Sequence, residues 1–198
     1  MLPSMNYPRL LRFAFVVSAV AAATLIWAAD FVPDAGFTAL LNGRDLTGWH
    51  HKDKDGKEGP ALDGKADAGD GRFTVQDGAL VGNGATGRSV LWTVKDLPKN
   101  FVLRLEFRAA PHCDGGIFFN KTQLQCGDYA TYAYKQLKTF KPEDWNAIEV
   151  TMKDGVAYCT CNGELMTASL KVSESGQLGL EADKNAITYR RIEIKELP

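Results

Sequence analysis

Between residues 101 and 108 the chain reads Phe-Val-Leu-Arg-Leu-Glu-Phe-Arg, apolar at every odd position and mostly charged at the even ones. Successive side chains of a strand point to opposite faces, so this alternation predicts a strand with one buried face. Three dipeptides that tolerate positive φ join strand-like runs. Asp77-Gly78 separates 73–75 from 80–81, Asp154-Gly155 separates 148–152 from 156–161, and Asn162-Gly163 precedes 164–166. Each predicts a tight hairpin. Near the end the phase slips: Ile187 and Tyr189 are apolar at odd positions, Ile192 and Ile194 at even ones. A β-bulge at Arg190-Arg191, or a bend onto a second sheet, would return both pairs to the core. No segment after residue 29 sustains a helical period. Short strands joined by Gly and Asp turns predict an all-β sandwich or jelly roll. The stretch 50–72, rich in Lys, Asp and Gly, predicts a long polar surface loop.

The start of the chain has a different character. Arg9 and Arg12 form a basic flank, residues 13–27 are apolar apart from Ser18 and Thr24, and alanines precede Asp30. That pattern predicts a targeting segment over 1–29, followed by one domain over 30–198. Cleavage after Ala21-Ala22-Ala23 suits a peptidase but leaves an oily Thr24-Leu25-Ile26-Trp27 end. Cleavage near Ala28 or Ala29 gives a cleaner end but puts bulky residues in the recognition site. An uncleaved anchor is the other outcome, although the apolar run falls short of the roughly 20 residues a span needs. The expected location is the periplasm or the medium, with contact to a membrane only through such an anchor.

Composition narrows the classes further. Hydrophobic residues at 45% and charged residues at 24% suit a globular domain. The net charge of -1, or -3 once Arg9 and Arg12 leave with the leader, gives none of the basic footprint of a nucleic-acid binder. Export would permit disulfides among Cys113, Cys126, Cys159 and Cys161, and four cysteines allow three pairings. Cys159 and Cys161 share a strand face and do not easily bridge each other. Buried free thiols are the alternative, and the spacing is no zinc signature.

Several motifs fail on context. Gly82-Asn83-Gly84-Ala85-Thr86-Gly87 fits the dinucleotide fingerprint, but a strand-like run follows where a helix must receive the pyrophosphate. Asp53-Lys54-Asp55-Gly56 lacks the later glycine and glutamate of a calcium loop. Asn120-Lys121-Thr122 is a glycosylation sequon only in a eukaryotic secretory pathway, and no G-x-S-x-G elbow is present. His50 and His51 are adjacent and would point opposite ways on extended backbone. His112 precedes Cys113-Asp114, and Asp114 could orient it or share a metal with it.

Read in order, several segments resemble the 3-keto-disaccharide hydrolase domain family. Phe37-Thr38-Ala39-Leu40-Leu41-Asn42-Gly43-Arg44-Asp45-Leu46-Thr47-Gly48-Trp49 resembles its F-x-x-L-F-N-G-K-D-L-x-G-W opening. Leu91-Trp92-Thr93, the alternating 101–108 run, Gly116-Ile117-Phe118-Phe119, Trp145-Asn146, Asn162-Gly163 and the close from Gly179-Leu180 to Lys195 continue the series. The resemblance implies a concanavalin-like jelly-roll sandwich of two antiparallel sheets, and cleavage of 3-keto-glycosides. A C3 ketone acidifies the C2 proton, so a general base can start elimination of the C1 substituent, and water then adds back. Such a site needs a base, a group that stabilises the enolate, and often a divalent metal ion. The chain departs from the family at four points, one being a missing insertion after the G-I-F strand, of which only Lys121 and Thr122 remain. Asn120 stands where an arginine usually follows the G-I-F strand. Gln123 stands for the Glu of an E-x-Q-x-x-D segment whose Gln125 and Asp128 persist. Glu181 and Asp183 fill a region where the family commonly has L-Q and then His or Glu.

On this reading the site lies where Asp114, Asn120, Gln123, Gln125 and Asp128 converge, on one face of two hairpin-connected strands. Asp128 is the first choice of base, with Asp114 or His112 second. Asn120, Gln123 and Gln125 would bind a carbohydrate ligand, and Trp92 would stack on a sugar ring. Two functions follow: an enzyme that cleaves 3-keto-glycosides or related sugars, and a non-catalytic carbohydrate-binding or adhesion-like module.

Overall fold

A computed structural model describes residues 31–53, 55–128, 132–172 and 176–198. The expected leader over 1–29 lies outside these residues. Among the described residues, no helix is long and apolar enough to cross a membrane.

The strands run in the order β1 (Thr38–Ala39), β2 (Leu46–Lys52), β3 (Glu58–Leu62), β4 (Phe73–Gln76), β5 (Ala79–Asn83), β6 (Ser89–Asp96) and β7 (Phe101–Ala109). Then come β8 (Asp114–Phe119), β9 (Thr122–Gly127), β10 (Asn146–Lys153), β11 (Val156–Cys161), β12 (Glu164–Lys171), β13 (Gln177–Ala182) and β14 (Ala186–Glu196). One four-residue helix, α1 (Tyr132–Lys135), accompanies them. They form two antiparallel sheets. The first has the order β12-β11-β10-β7-β14-β5-β4, with β1 on β14, and the second the order β3-β2-β6-β13-β8-β9.

The turns follow their chemistry. At Asp77-Gly78, Asp154-Gly155 and Asn162-Gly163 both residues of each pair have positive φ, between 47° and 80°, as a two-residue hairpin of the right twist requires. They connect β4 to β5, β10 to β11 and β11 to β12. Strand β7 buries its odd positions Phe101, Leu103, Leu105 and Phe107. Strand β14 resolves its phase slip by bulging. Arg191 has φ 52°, the register to β7 shifts between Arg190 and Glu193, and Ile187, Tyr189 and Ile192 are all buried. The strand stays in one sheet. The glycine run at 82–87 closes into a single 3-10 turn, Gly84–Thr86, before β6.

The stretch 50–72 is not the surface loop its composition predicts. His50 and His51 lie within β2, and Glu58–Leu62 pairs with it as β3. Charged residues and Pro60 suit this position because β3 is an edge strand, where charge and proline discourage further pairing.

The core fills from both inner faces, with Leu103, Leu105, Ile148 and Val150 meeting Leu91, Ile117, Leu178 and Leu180. Trp49 is part of it, its indole N–H donating to the Leu40 carbonyl at 2.8 Å. All four cysteines are free and buried, and burial pushes the Cys159 and Cys161 thiols up to about 12. The sheets are also joined by a buried phenol. The Tyr189 hydroxyl on β14 donates to the Glu181 carbonyl on β13 at 2.7 Å and lies 3.3 Å from that of Gly116 on β8. Removing it leaves buried carbonyls short of a donor. Tyr189→Phe should therefore cost about 1–2 kcal/mol, read as a lower urea midpoint at unchanged slope. An unshifted midpoint would show that this tie carries no stability.

Candidate functional site

Strand β13 divides its side chains strictly. Leu178, Leu180 and Ala182 enter the core, so Gln177, Gly179 and Glu181 face away from it. An antiparallel sheet commonly leaves such a face wet. Here every residue of β13 is buried, because neighbouring side chains fold over the outer positions.

The registers explain which ones. His50 pairs with Trp92, Trp92 with Gly179, Gly179 with Phe118, and Phe118 with Gln123. These residues form one row across β2, β6, β13, β8 and β9. The next row holds Val90, Glu181, Gly116 and Gln125. Both glycines in these rows make room. A Cβ at Gly179 would stand 2.8–3.0 Å from three ring atoms of Trp92, so the indole lies directly on the backbone of β13. A Cβ at Gly116 would collide with the Gln123 amide, which crosses that gap towards Glu181. Trp92 and Phe118 have ring centroids 5.8 Å apart at 50°, giving the face an aromatic floor. Beside Trp92 a cleft of about 590 Å³ opens between Lys52, Asp70, Arg72 and Arg88.

Glu181 is the centre of the polar groups. Its side chain is only 5% exposed. One oxygen accepts from Arg88 Nε and the other from Gln123 Nε2 at 2.6 Å. Burial pushes its carboxyl above the ordinary range, and the Arg88 guanidinium opposes that rise without cancelling it. Arg88 itself is 57% exposed and lies over the Phe118 ring at 5.5 Å. Asp114, at the start of β8, has the opposite environment. Lys184 Nζ lies 2.6 Å from one oxygen, and Gln125 Nε2 donates to the other. These bonds, Lys184 first, hold its carboxyl below the ordinary value. Two neighbouring carboxylates are thus driven apart in acidity, the arrangement that separates proton-handling groups from fixed anions.

The structure brings together part of the site expected from sequence. Asp114 and Gln125 are bonded, Gln123 bonds Glu181 one strand away, and Trp92 shares their face. Asn120 is elsewhere: it is a turn residue of the β8–β9 hairpin, φ 55°, its side chain packed against Gly176. It shares parity with Asp114 but lies six residues along the strand, about 20 Å away at 3.3 Å per residue. Asp128 follows β9, and its carboxylate accepts the backbone N–H of His112, itself a turn residue with φ 62°. The five expected residues therefore do not converge. Sequence reasoning did not single out Arg88 as a site residue, and it noted Glu181 only as a departure. Alternation along 177–182 carried a signal for Glu181; no local pattern marked Arg88.

Among the described residues, no group of three His, Cys, Asp or Glu side chains is arranged to hold a metal ion. Asp114 and Glu181 already have cationic and amide partners, so the donor set does not fit the divalent ion that the resemblance implies.

A family model described as a 3-keto-alpha-glucoside-1,2-lyase-like domain matches residues 36–195. A search of curated proteins returned no match. Among solved structures, a candidate glycosyl hydrolase from Parabacteroides distasonis aligns at 20% identity and TM-score 0.64, covering 82% of this chain and 94% of its own. A second candidate glycosyl hydrolase from the same organism aligns at 16% identity and TM-score 0.52, covering 64% and 90%. These similarities show the fold.

The raised pKa of Glu181 makes stability depend on pH. Folded, this carboxyl holds its proton more tightly than unfolded. The folded state therefore loses stability as pH climbs from the ordinary carboxylate value through the raised one. Glu181→Gln has no charge to bury. Its melting temperature relative to the unmodified protein should rise across that window and then level off. Thermal melts between about pH 4 and pH 8 would test this, and a pH-independent difference would contradict the desolvation of Glu181.

Proposed function

The chain belongs to the 3-keto-alpha-glucoside-1,2-lyase-like family, a sugar-directed, glycosyl-hydrolase-like group, and from that premise we propose that it is an exported enzyme that cleaves 3-keto-glycosides with Glu181 as the base. The observation that carries this reading is a buried carboxylate with a raised affinity for protons, set between Arg88 and Gln123 beside an aromatic floor. A general base works best when its pKa is moved towards the working pH. Gln123 is an exposed residue of edge strand β9, so its amide can swing aside and leave one Glu181 oxygen to the substrate.

In the proposed reaction that oxygen takes the C2 proton, the electron pair moves into the C2–C3 bond, and the C3 ketone becomes an enolate. Arg88 stabilises the negative oxygen with its partly exposed guanidinium. The enolate then expels the C1 substituent, which leaves with a proton from Glu181 or solvent. Water adds across the resulting double bond, hydroxyl to C1 and proton to C2, so the net change is hydrolysis. Phe118 holds the reacting ring, with Trp92 at its edge. Asp114, fixed as an anion by Lys184, orients Gln125 on the same face.

The family pattern has Glu at the position of Gln123 and Gln at that of Glu181. This chain carries the two types exchanged across one 2.6 Å hydrogen bond, which keeps an acid–amide pair in one place. A second reading, a carbohydrate-binding module, is favoured by the engagement of both Glu181 oxygens.

Turnover of 3-keto-glucosides and their unoxidised parents separates the two. Release of the aglycone from the keto forms alone supports the enzyme, and silence from a folded protein that still binds sugar supports the module. Glu181→Gln should lower kcat by about 10²- to 10⁴-fold while binding survives. The double variant Glu181→Gln, Gln123→Glu should recover part of that loss. Full activity in Glu181→Gln would reject Glu181 as the base.

A further inference from the structure

On the same face, on the side of Trp92 away from Glu181, two polar side chains are more completely buried than their chemistry explains. His50 is 2% exposed and Gln177 is 5% exposed. His50 Nε2 and Gln177 Oε1 are both buried with no hydrogen-bond partner. Most buried polar atoms are paired, and a buried atom left unpaired is costly. His50 is the direct cross-strand neighbour of Trp92. Gln177 stands two residues before Gly179, on which the indole lies. Along β13 the order is therefore Gln177, the Gly179 seat of the indole, and Glu181.

The cover over this region comes from the β2–β3 hairpin. Lys52 Nζ stands 4.6 Å above the Trp92 ring. The Glu58 carboxylate accepts from Gln177 Nε2 at 2.7 Å. Glu58 belongs to edge strand β3 and Gln177 to β13, so this bond passes over both intervening strands, β2 and β6. At about 4.8 Å per strand, a contact of that reach lies across the outer face and closes it. The hairpin turn is shaped by Asp53, whose carboxylate accepts the N–H groups of Asp55 and Lys57, each at 2.9 Å.

We propose that His50, Trp92 and Gln177 form a second subsite for a neutral sugar unit, the one bonded to the ring that reacts at Glu181, and that Lys52 and Glu58 occupy it until the sugar displaces them. This rests on the proposed sugar-cleaving function of the same face. An indole face with a hydrogen-bonding side chain on either side matches a pyranose ring, whose hydroxyls both give and take hydrogen bonds. Lys52 and Glu58 also have the right chemistry to be displaced. A surface cation–π contact and a single hydrogen bond to the side chain of an exposed residue are holds that a ligand can replace.

The test is binding rather than turnover, read by tryptophan fluorescence on the full chain. The probes are a gluco-disaccharide and the matching methyl glucoside, each as the parent and as the 3-keto form. The protein should bind the disaccharide more tightly than the methyl glucoside. Gln177→Ala and His50→Gln, checked for folding by circular dichroism, should bring that ratio towards one. Glu58→Ala, a change at an exposed side chain, should instead tighten disaccharide binding by about threefold or more, since one hydrogen bond no longer competes. Equal binding of the two probes, absence of binding in both the unmodified protein and Glu58→Ala, or an unchanged ratio in folded His50 and Gln177 variants would overturn the subsite. Turnover of methyl 3-keto-glucoside without a disaccharide preference leaves the enzyme reading standing and removes the subsite. A disaccharide preference that moves with these variants, without turnover, does the reverse.

Discussion

The register of β13 is the constraint on which the rest depends. One strand sends Leu178, Leu180 and Ala182 into the sandwich and Gln177, Gly179 and Glu181 to the opposite face. A slip of one residue would exchange the two sets, burying a carboxylate among aliphatic side chains and exposing the core. Three contacts hold the register. The core positions pack against both sheets, the Tyr189 hydroxyl ties down the Glu181 carbonyl, and the Trp92 indole fits only over a residue with no side chain. The same fit that seats the indole therefore fixes the distance from aromatic floor to carboxylate. Stability and site geometry are one problem here, solved on one strand.

The fold was legible because its determinants are local. The opening motif shows this. Asn42 accepts the N–H groups of Arg44 and Asp45, Asp45 accepts that of Thr47, and Gly43 takes a φ of 76°. This is an Asx turn written in adjacent residues. Trp145-Asn146 and Asn162-Gly163 also have structural duties. The Asn146 side chain bonds the backbone of Lys141 and Asp144, and Asn162 bonds both Asn146 and the N–H of Ala147. The motifs that carry the family resemblance are thus turn and corner chemistry, which is why they announce the sandwich and are silent about catalysis.

The site was less legible for the converse reason. Its bonds join residues 58, 93 and 119 positions apart, Glu181 with Gln123, Glu181 with Arg88 and Gln177 with Glu58. Residue type alone made Asp128 attractive as a base, yet its carboxylate serves the His112 turn. Parity alone grouped Asn120 with Asp114, yet parity says nothing about distance along a strand. Composition made 50–72 a loop, because charges and a proline on an edge strand look like loop residues. For Arg88 and Glu181 the missing term was which strands become neighbours, and short alternating segments of similar length leave strand order open.

Neighbourhood also changes the meaning of the departures from the family. Taken one position at a time, Asn120 for arginine and Gln123 for glutamate remove the cation and the acid from the face. Taken in three dimensions, Arg88 enters the same face from the loop before β6, and Glu181 faces Gln123 across 2.6 Å. The face keeps one guanidinium, one carboxylate and one amide, with the carboxylate bonded to both of the others. What has moved is the strand that supplies the acid, from the exposed edge strand β9 to β13, which is buried on both sides. On β13 the acid is desolvated, and Arg88, more than half in water, offsets only part of that cost. The carboxylate of the pair is thus held above its ordinary range, while Lys184 holds Asp114 below its own a strand away.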